Sequence, residues 1–206
     1  MTPEYIVIHT AAFKGSNCDA SRIDEWHKAR GWSGIGYHFV ILNDKHDSKP
    51  DGKVEVGRVE NVVGAHTLGI NSKSLGICCV GHGDHSDFTE AQYSSLETLV
   101  HQLMQKYAIS LNNVIGHREI NDLIQKGLVE PNYRTTKTCP GIKIDMNKLR
   151  EKIGKCQDDV SLVDPAKLSE AIQLIRTHRT YFNNARDELD QFLNHPEVIE
   201  FLEETS

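Results

Sequence analysis

Two histidines and a cysteine stand where they can share a metal ion: His9, His117 and Cys139. His9 closes the apolar, β-branched run Tyr5-Ile6-Val7-Ile8, and His117 closes Val114-Ile115-Gly116. Cys139 lies in Lys137-Thr138-Cys139-Pro140-Gly141, a loop stiffened by its Pro-Gly pair. Side chains distant along a chain converge when the ends of neighbouring strands lie side by side in one sheet. A catalytic zinc ion commonly takes three imidazole or thiolate ligands and keeps a fourth position for water. Neither an HExxH helix nor a CxxC knuckle is present, so the short zinc signatures do not apply. Cys139 and His117 also have the residue types of a nucleophile and base pair, which leaves a cysteine peptidase as a second reading.

The elements that must position these groups follow from patterning. After a first strand over residues 5–10, Asp19 or Ser21 caps a helix through Trp26-His27-Lys28-Ala29 that Gly31 ends. Residues 36–42 read as the next strand. A polar stretch from Asn43 to Pro50 and the Asp51-Gly52 turn lead to a partner strand over residues 53–57. Residues 75–80 read as a central strand and residues 114–117 as a short one. Between them, residues 88–107 place Leu96, Leu99, Val100, Leu103 and Tyr107 at helical spacing, with Thr89 at the start. This order predicts an α/β fold with a mixed central sheet flanked by helices. Cys78 and Cys79, adjacent on a strand, would face opposite sides as small buried hydrophobes.

At 206 residues, 38% hydrophobic and 25% charged, the chain can bury one core and carry a modest appendage. Its net charge of −6 leaves no basic surplus to displace phosphate counterions, so no nucleic-acid partner is expected. Five cysteines, an odd number, suit synthesis in a reducing compartment better than a disulfide framework. The first residues lack the basic and apolar regions of a secretory signal. No run reaches the roughly 18 apolar residues of a membrane helix. After Cys156 the character changes: Asp164-Pro165 opens a helix whose Leu168, Ile172, Ile175, Phe182, Leu189 and Leu193 step by three, four or seven. Residues 1–157 therefore read as the main domain and residues 158–206 as a helical extension. Packing on the main domain, self-association through the helix and targeting are its three readings.

Longer strings carry a resemblance. They are Trp26-His27-Lys28-Ala29-Arg30-Gly31-Trp32, Gly36-Tyr37-His38-Phe39, Val54-Glu55-Val56-Gly57-Arg58, Gly64-Ala65-His66, Asn71-Ser72-Lys73-Ser74-Leu75-Gly76-Ile77, Gly116-His117-Arg118-Glu119 and the Lys137–Gly141 loop. Their set and order, over residues 5–153, resemble the zinc N-acetylmuramoyl-L-alanine amidases of the T7 phage lysozyme type, a family that includes peptidoglycan recognition proteins. The resemblance implies that His9, His117 and Cys139 hold one zinc ion (Zn2+) per chain. It implies that Tyr37 sits beside the zinc-bound water, that Lys137 is a catalytic lysine, and that His66 lines the cleft or supports the metal. The implied reaction cuts the amide between the lactyl group of N-acetylmuramic acid and L-alanine of the stem peptide, with bacterial peptidoglycan or muropeptides as partner. A phage or prophage endolysin, made in the cytoplasm and released through a membrane lesion or by dedicated export, fits that reaction.

A noncatalytic muropeptide sensor is the alternative, although such relatives usually lose the cysteine that stands here as Cys139. Two stretches are longer than in the short phage form, residues 43–51 and 120–136, and both are expected to border the cleft. His27, His38, His46, His82, His85 and His101 are read as having no metal role, with His82 and His85 as candidates for the cleft wall. Trp26 and Trp32 are expected to be packing residues.

Overall fold

The computed structural model describes residues 1–160 and Gln173, with side chains as far as Lys155. Its strands are β1 (Tyr5–Thr10), β2 (Phe39–Ile41), β3 (Val54–Val56), β4 (Ser74–Cys79) and β5 (Val114–Gly116). They form one sheet in the order β3-β2-β4-β1-β5. β2, β4, β1 and β5 run parallel, and β3 pairs antiparallel with β2 at the edge. The mixed sheet expected from the sequence is observed, with the strand expected over residues 75–80 at its centre. β1 and β4 are buried along their whole length, as strands covered on both faces must be.

Alternation along the strands sorts the side chains between the two faces. Ile6, Ile8, Phe39, Ile41, Leu75, Ile77 and Cys79 share one core with α2 (Glu90–Tyr107) and α4 (Met146–Val160), which contribute Leu96, Val100, Leu103, Leu149 and Ile153. α2 begins at a capping box in which Thr89 and Gln92 satisfy each other's backbone N–H groups. The other face carries two smaller clusters. Val40, Cys78 and Val80 pack on Ile23 of α1 (Ala20–Ala29), whose start is capped by Asp19. Tyr5, Val7 and Ile115 pack on Ile120, Leu123 and Ile124 of α3 (Ile120–Gln125). Cys78 and Cys79 thus belong to different cores, as alternation requires. His9 has the parity of Tyr5 and Val7, so it points to this second face, where a cleft opens.

Two elements are shorter than the sequence suggests. The strand expected over residues 36–42 is regular only over Phe39–Ile41. Ahead of it, histidine side chains take over ladder partners. His27 Nδ1 accepts the Gly36 N–H at 2.9 Å, and His38 Nδ1 accepts the Gly76 N–H at 2.9 Å. The last strand stops at Gly116, and His117 opens a single 3₁₀ turn, His117–Glu119.

Two compact units can be distinguished, Met1–Gln157 and Asp158–Ser206. The apolar stripe from Leu168 to Leu193, and the self-association read from it, lie outside the described residues. Among the described residues no helix is long and apolar enough to cross a membrane.

Candidate metal centre

One donor atom each from His9, His117 and Cys139 gathers within 4.8 Å of the other two, and no other trio of His, Cys, Asp or Glu does so among the described residues. Cys139 Sγ lies 3.6 Å from His9 Nδ1. That matches the edge of roughly 3.3–3.8 Å expected for a tetrahedron with zinc-type bond lengths. The His9 and His117 rings stand nearly perpendicular, with centroids 4.9 Å apart.

Each donor is held differently. His9 sits near the end of β1, flanked by β4 and β5. Its Nε2 is turned away from Cys139 and lies 3.2 Å from His66 Nδ1 and 3.3 Å from Thr67 Oγ1. The backbone N–H groups of His66 and Thr67 both donate to Asn71 Oδ1, at 2.9 and 2.7 Å, so one short loop delivers both partners. With Nε2 engaged, Nδ1 is left for a cation, the arrangement by which a neighbouring group orients a ligating histidine. His117 follows a backbone turn pinned by Glu119, which accepts the Gly116 N–H at 2.7 Å. Arg150 of α4 grips the Glu119 carboxylate through both oxygens, at 2.9 and 3.0 Å.

Cys139 has no strand to stand on. The Arg118 guanidinium donates to the carbonyls of Thr138, Gly141 and Ile144 at 3.1, 2.6 and 2.7 Å, and the Arg118 N–H donates to the Cys139 carbonyl at 2.8 Å. Across the loop, Asp84 accepts from Thr138 Oγ1 and from the Ile142 N–H, both at 2.8 Å. Gly83 lets the two backbones touch, since a Cβ there would fall 1.9 Å from the Pro140 oxygen. Sequence reasoning named none of Thr67, Asn71, Gly83, Asp84 or Arg118 as supports. Arg118 was within sight, inside the Gly-His-Arg-Glu string.

Burial dominates the electrostatics. It depresses His9 well below the usual histidine range and His117 to about 4, with the Lys137 ammonium adding to both. His66 falls to about 3, mainly through burial and then through His38. Burial also pushes the Cys139 thiol up to about 11, against the opposing pull of the Thr10 N–H, Lys137 and Arg118. Near neutral pH the imidazoles are therefore uncharged and have lone pairs free, and a cation can replace the thiol proton. Two neutral imidazoles, one ionisable thiol and an open side fit a divalent ion of the zinc type.

Tyr37 lies at the same centre, its ring centroid 5.1 Å from that of His9. Burial, then the Cys78 and Cys139 sulfurs, raise its phenol well above the ordinary value, and its hydroxyl is within hydrogen-bonding reach of the Cys78 thiol. Lys137 is exposed and lines the cleft.

The cleft has two lobes of about 380 Å³ each, which share Trp32, Ala65, His66, His117 and Lys137. The metal lobe adds His9, Tyr37 and Cys139, and the other runs past Leu68 and Tyr133 to Arg134. The structure thus brings all six sequence-selected residues to one cleft. Residues 132–135 of the longer 120–136 segment line it, as expected. The other long stretch does not. Asn43, Asp44 and Lys45 line a separate cavity of about 330 Å³ together with His85. Lys49 of that stretch is tied to Asp19 and Glu55 at 2.6 and 2.7 Å. His82 borders both spaces. Trp32, expected to pack internally, is 40% exposed and forms part of both lobes.

Residues 1–142 match the family model described as N-acetylmuramoyl-L-alanine amidase. The chain belongs to this family. The match contains all six of the residues above. Among relatives of this amidase-family chain, the endolysin of Enterobacteria phage T3 is 43% identical over 112 residues, covering 52% of this chain and 70% of its own. Peptidoglycan-recognition protein SC2 of Drosophila melanogaster is 32% identical over 126 residues, covering 56% and 64%. The solved N-acetylmuramoyl-L-alanine amidase LysC from Clostridium intestinale URNW aligns with a TM-score of 0.60 at 33% identity, covering 74% of this chain and 86% of that one.

Proposed function

We propose that residues 1–157 form a zinc-dependent peptidoglycan amidase that hydrolyses the bond between the lactyl group of N-acetylmuramic acid and L-alanine of the stem peptide, acting as a phage or prophage endolysin. The observation that carries the proposal is the convergence of His9, His117 and Cys139 beside an open cleft, in a chain whose family is named for this reaction. Delivery to the wall would follow release through a membrane lesion or a dedicated export route.

An amide resists hydrolysis because resonance blunts its carbonyl and its amine leaves poorly. When bound, zinc supplies the Lewis acidity that makes water nucleophilic near neutral pH and polarises a carbonyl. The chain's own groups supply the rest. His9 and His117 as neutral imidazoles and Cys139 as thiolate would hold the ion, with His66 and Thr67 fixing the His9 ring. Tyr37 stays protonated at neutral pH, so it serves as a hydrogen-bond donor that orients the reacting groups, and not as a base. Lys137 sets a positive charge at the cleft wall, where negative charge grows on the carbonyl oxygen. Loss of one such stabilising donor costs about 10²–10³ in rate.

A cysteine peptidase would need a Cys139 thiol with a depressed pKa. Burial drives it the other way, up to about 11. A noncatalytic sensor would bind muropeptides without turnover. Mass spectrometry of fragments released from purified sacculi separates these readings. The zinc-loaded protein is expected to expose new L-alanine amino termini and lactyl carboxylates, to stop when a chelator is added and to resume with zinc. Activity that survives chelation, or cleavage at another bond, overturns the proposal.

A further inference from the structure

Among the described residues no hydrogen bond reaches the His117 ring. A ligating histidine is usually oriented through its second nitrogen, as His9 is by His66 and Thr67. For His117 that task falls to the backbone. β5 alone gives a weak mount, because it is three residues long, lies at the edge of the sheet and pairs only with β1. Its last residue, Gly116, donates its N–H to Glu119 Oε2 at 2.7 Å. Glu119 is in turn held from α4. Arg150 Nη1 and Nη2 donate to the two Glu119 oxygens at 2.9 and 3.0 Å, and Nη1 also donates to the Val114 carbonyl at 3.0 Å. Nη2 donates further to Asn147 Oδ1 at 2.7 Å, which anchors the guanidinium to its own helix. One planar group thus ties the first residue of β5 to the turn that follows its last. The Arg150 and Glu119 side chains are 20% and 19% exposed, so the pair is sheltered from the screening that weakens surface ion pairs.

We propose that Arg150 is a positioning residue for the metal centre, acting through Glu119 to hold the 117–119 turn where it presents His117 and, by way of Arg118, Cys139. This deepens the amidase reading and rests on its zinc ligands. The turn serves two donors because its residues are consecutive: His117 is a ligand, Arg118 clamps the Cys139 loop, and Glu119 takes the grip of Arg150. Gly116 marks where the three parts close on one another, since a Cβ there would fall 2.7 Å from Pro140 Cδ and 3.1 Å from Met146 Cγ. A shift of the turn therefore moves two of the three donors together. Arg150 lines neither lobe of the cleft, so it acts on the donors and not on substrate. A lysine would keep the charge but not the two parallel bonds to the carboxylate with a third to Val114.

The test measures the zinc Kd of the full chain by competition with a chelator. Arg150→Met is expected to weaken zinc binding about tenfold, the lower end of what the partners of metal ligands contribute, and Arg150→Lys to recover part of the loss. Glu119→Gln keeps an oxygen for the Gly116 N–H and should weaken binding to a similar extent. Combined with Arg150→Met it should add little, because both break the same link. A merely structural ion pair would lower Tm and leave the Kd of the folded protein unchanged, as is expected of Lys49→Met. Hydrogen exchange at the Gly116 amide reads the mount without metal: in the zinc-free chain it should be faster in Arg150→Met than in the unaltered protein. An unchanged zinc Kd in folded Arg150→Met overturns the proposal, as do Arg150→Met and Glu119→Gln losses that add in full. Should Arg150→Met not fold, Arg150→Lys and Glu119→Gln carry the same comparison. An unaltered protein that binds no zinc would overturn the amidase reading, while exchange at Gly116 would still decide whether Arg150 holds the turn.

Discussion

His9 and Cys139 meet 3.6 Å apart but are mounted in opposite ways. His9 belongs to a buried strand paired on both sides, so backbone ladders set its position and two neighbours, His66 and Thr67, set its ring. Cys139 rides on a loop whose shape depends on Arg118, on Asp84 and on the absence of a side chain at Gly83. A ligand carried by a sheet is displaced by disrupting the sheet. A ligand carried by a loop is displaced by one substitution in another part of the chain. The two mounts should therefore fail differently.

The largest effects come from removing a donor. Cys139→Ser and His117→Ala are each expected to lose bound zinc and all measurable wall degradation, read by elemental analysis and by the turbidity of a cell-wall suspension. Full activity in a metal-free variant would refute the assignment. Lys137→Ala tests the loop without touching a ligand: zinc content should hold while kcat falls about 10²–10³. Loss of zinc in that variant would show that the lysine supports the mount. Next come the supports of the cysteine loop. Gly83→Ala drives a Cβ into the Pro140 oxygen, and Arg118→Gln strips three carbonyls of their donor. Each is expected to weaken zinc binding about 10–100-fold, whereas Thr67→Val should weaken it less, because β1 still holds His9. Equal losses in all three would erase the distinction between the mounts.

A smaller, graded effect follows from acid. His9, His66 and His117 are neutral in the folded chain, with pKa values depressed by burial below the roughly 6.5 of an unfolded histidine. Above that value neither state is charged and the groups have no effect on stability. As pH falls through it, the unfolded chain takes up protons that the folded chain refuses. The zinc-free protein then loses up to about 1.4 kcal/mol per pH unit for each histidine. For His117 the loss levels off near its folded value of about 4. The Tm of zinc-free protein should therefore drop steadily from pH 7 to pH 5, and a flat profile would contradict the burial argument. The smallest change is expected far from the cleft. Lys49→Met breaks the ties to Asp19 and Glu55 and should cost about 1 kcal/mol or less, with turnover unaltered.

The sequence showed the donors more clearly than their supports. His9 and His117 each end an apolar run, but they were legible as donors only together with Cys139 and the ordered strings that carry the family resemblance. The clamp on the Cys139 loop was not legible. Asp84 meets Thr138 and Ile142 from 54 and 58 residues away, and Arg118 binds backbone carbonyls, which have no signature in a sequence. Apolar alternation overextended β2, because it does not register that His27 and His38 accept backbone N–H groups in place of a neighbouring strand. Trp32 looked like core because large aromatic residues usually are, and it proved to be wall. Length misled for residues 43–51, which border a separate cavity and where Lys49 is tied to Asp19 and Glu55. It served for residues 120–136, where Arg134 stays exposed on the cleft.

The distribution of the sulfurs has a practical consequence. Cys18, Cys78 and Cys79 are sealed in the interior, and among the described cysteines Cys139 alone borders open space. An alkylating reagent is thus an occupancy gauge when the adduct is mapped to Cys139: with the ion in place that sulfur is coordinated and shielded, and without it a slow adduct forms there. Since that adduct blocks reloading, labelling carried to its plateau counts how many molecules in a preparation were empty.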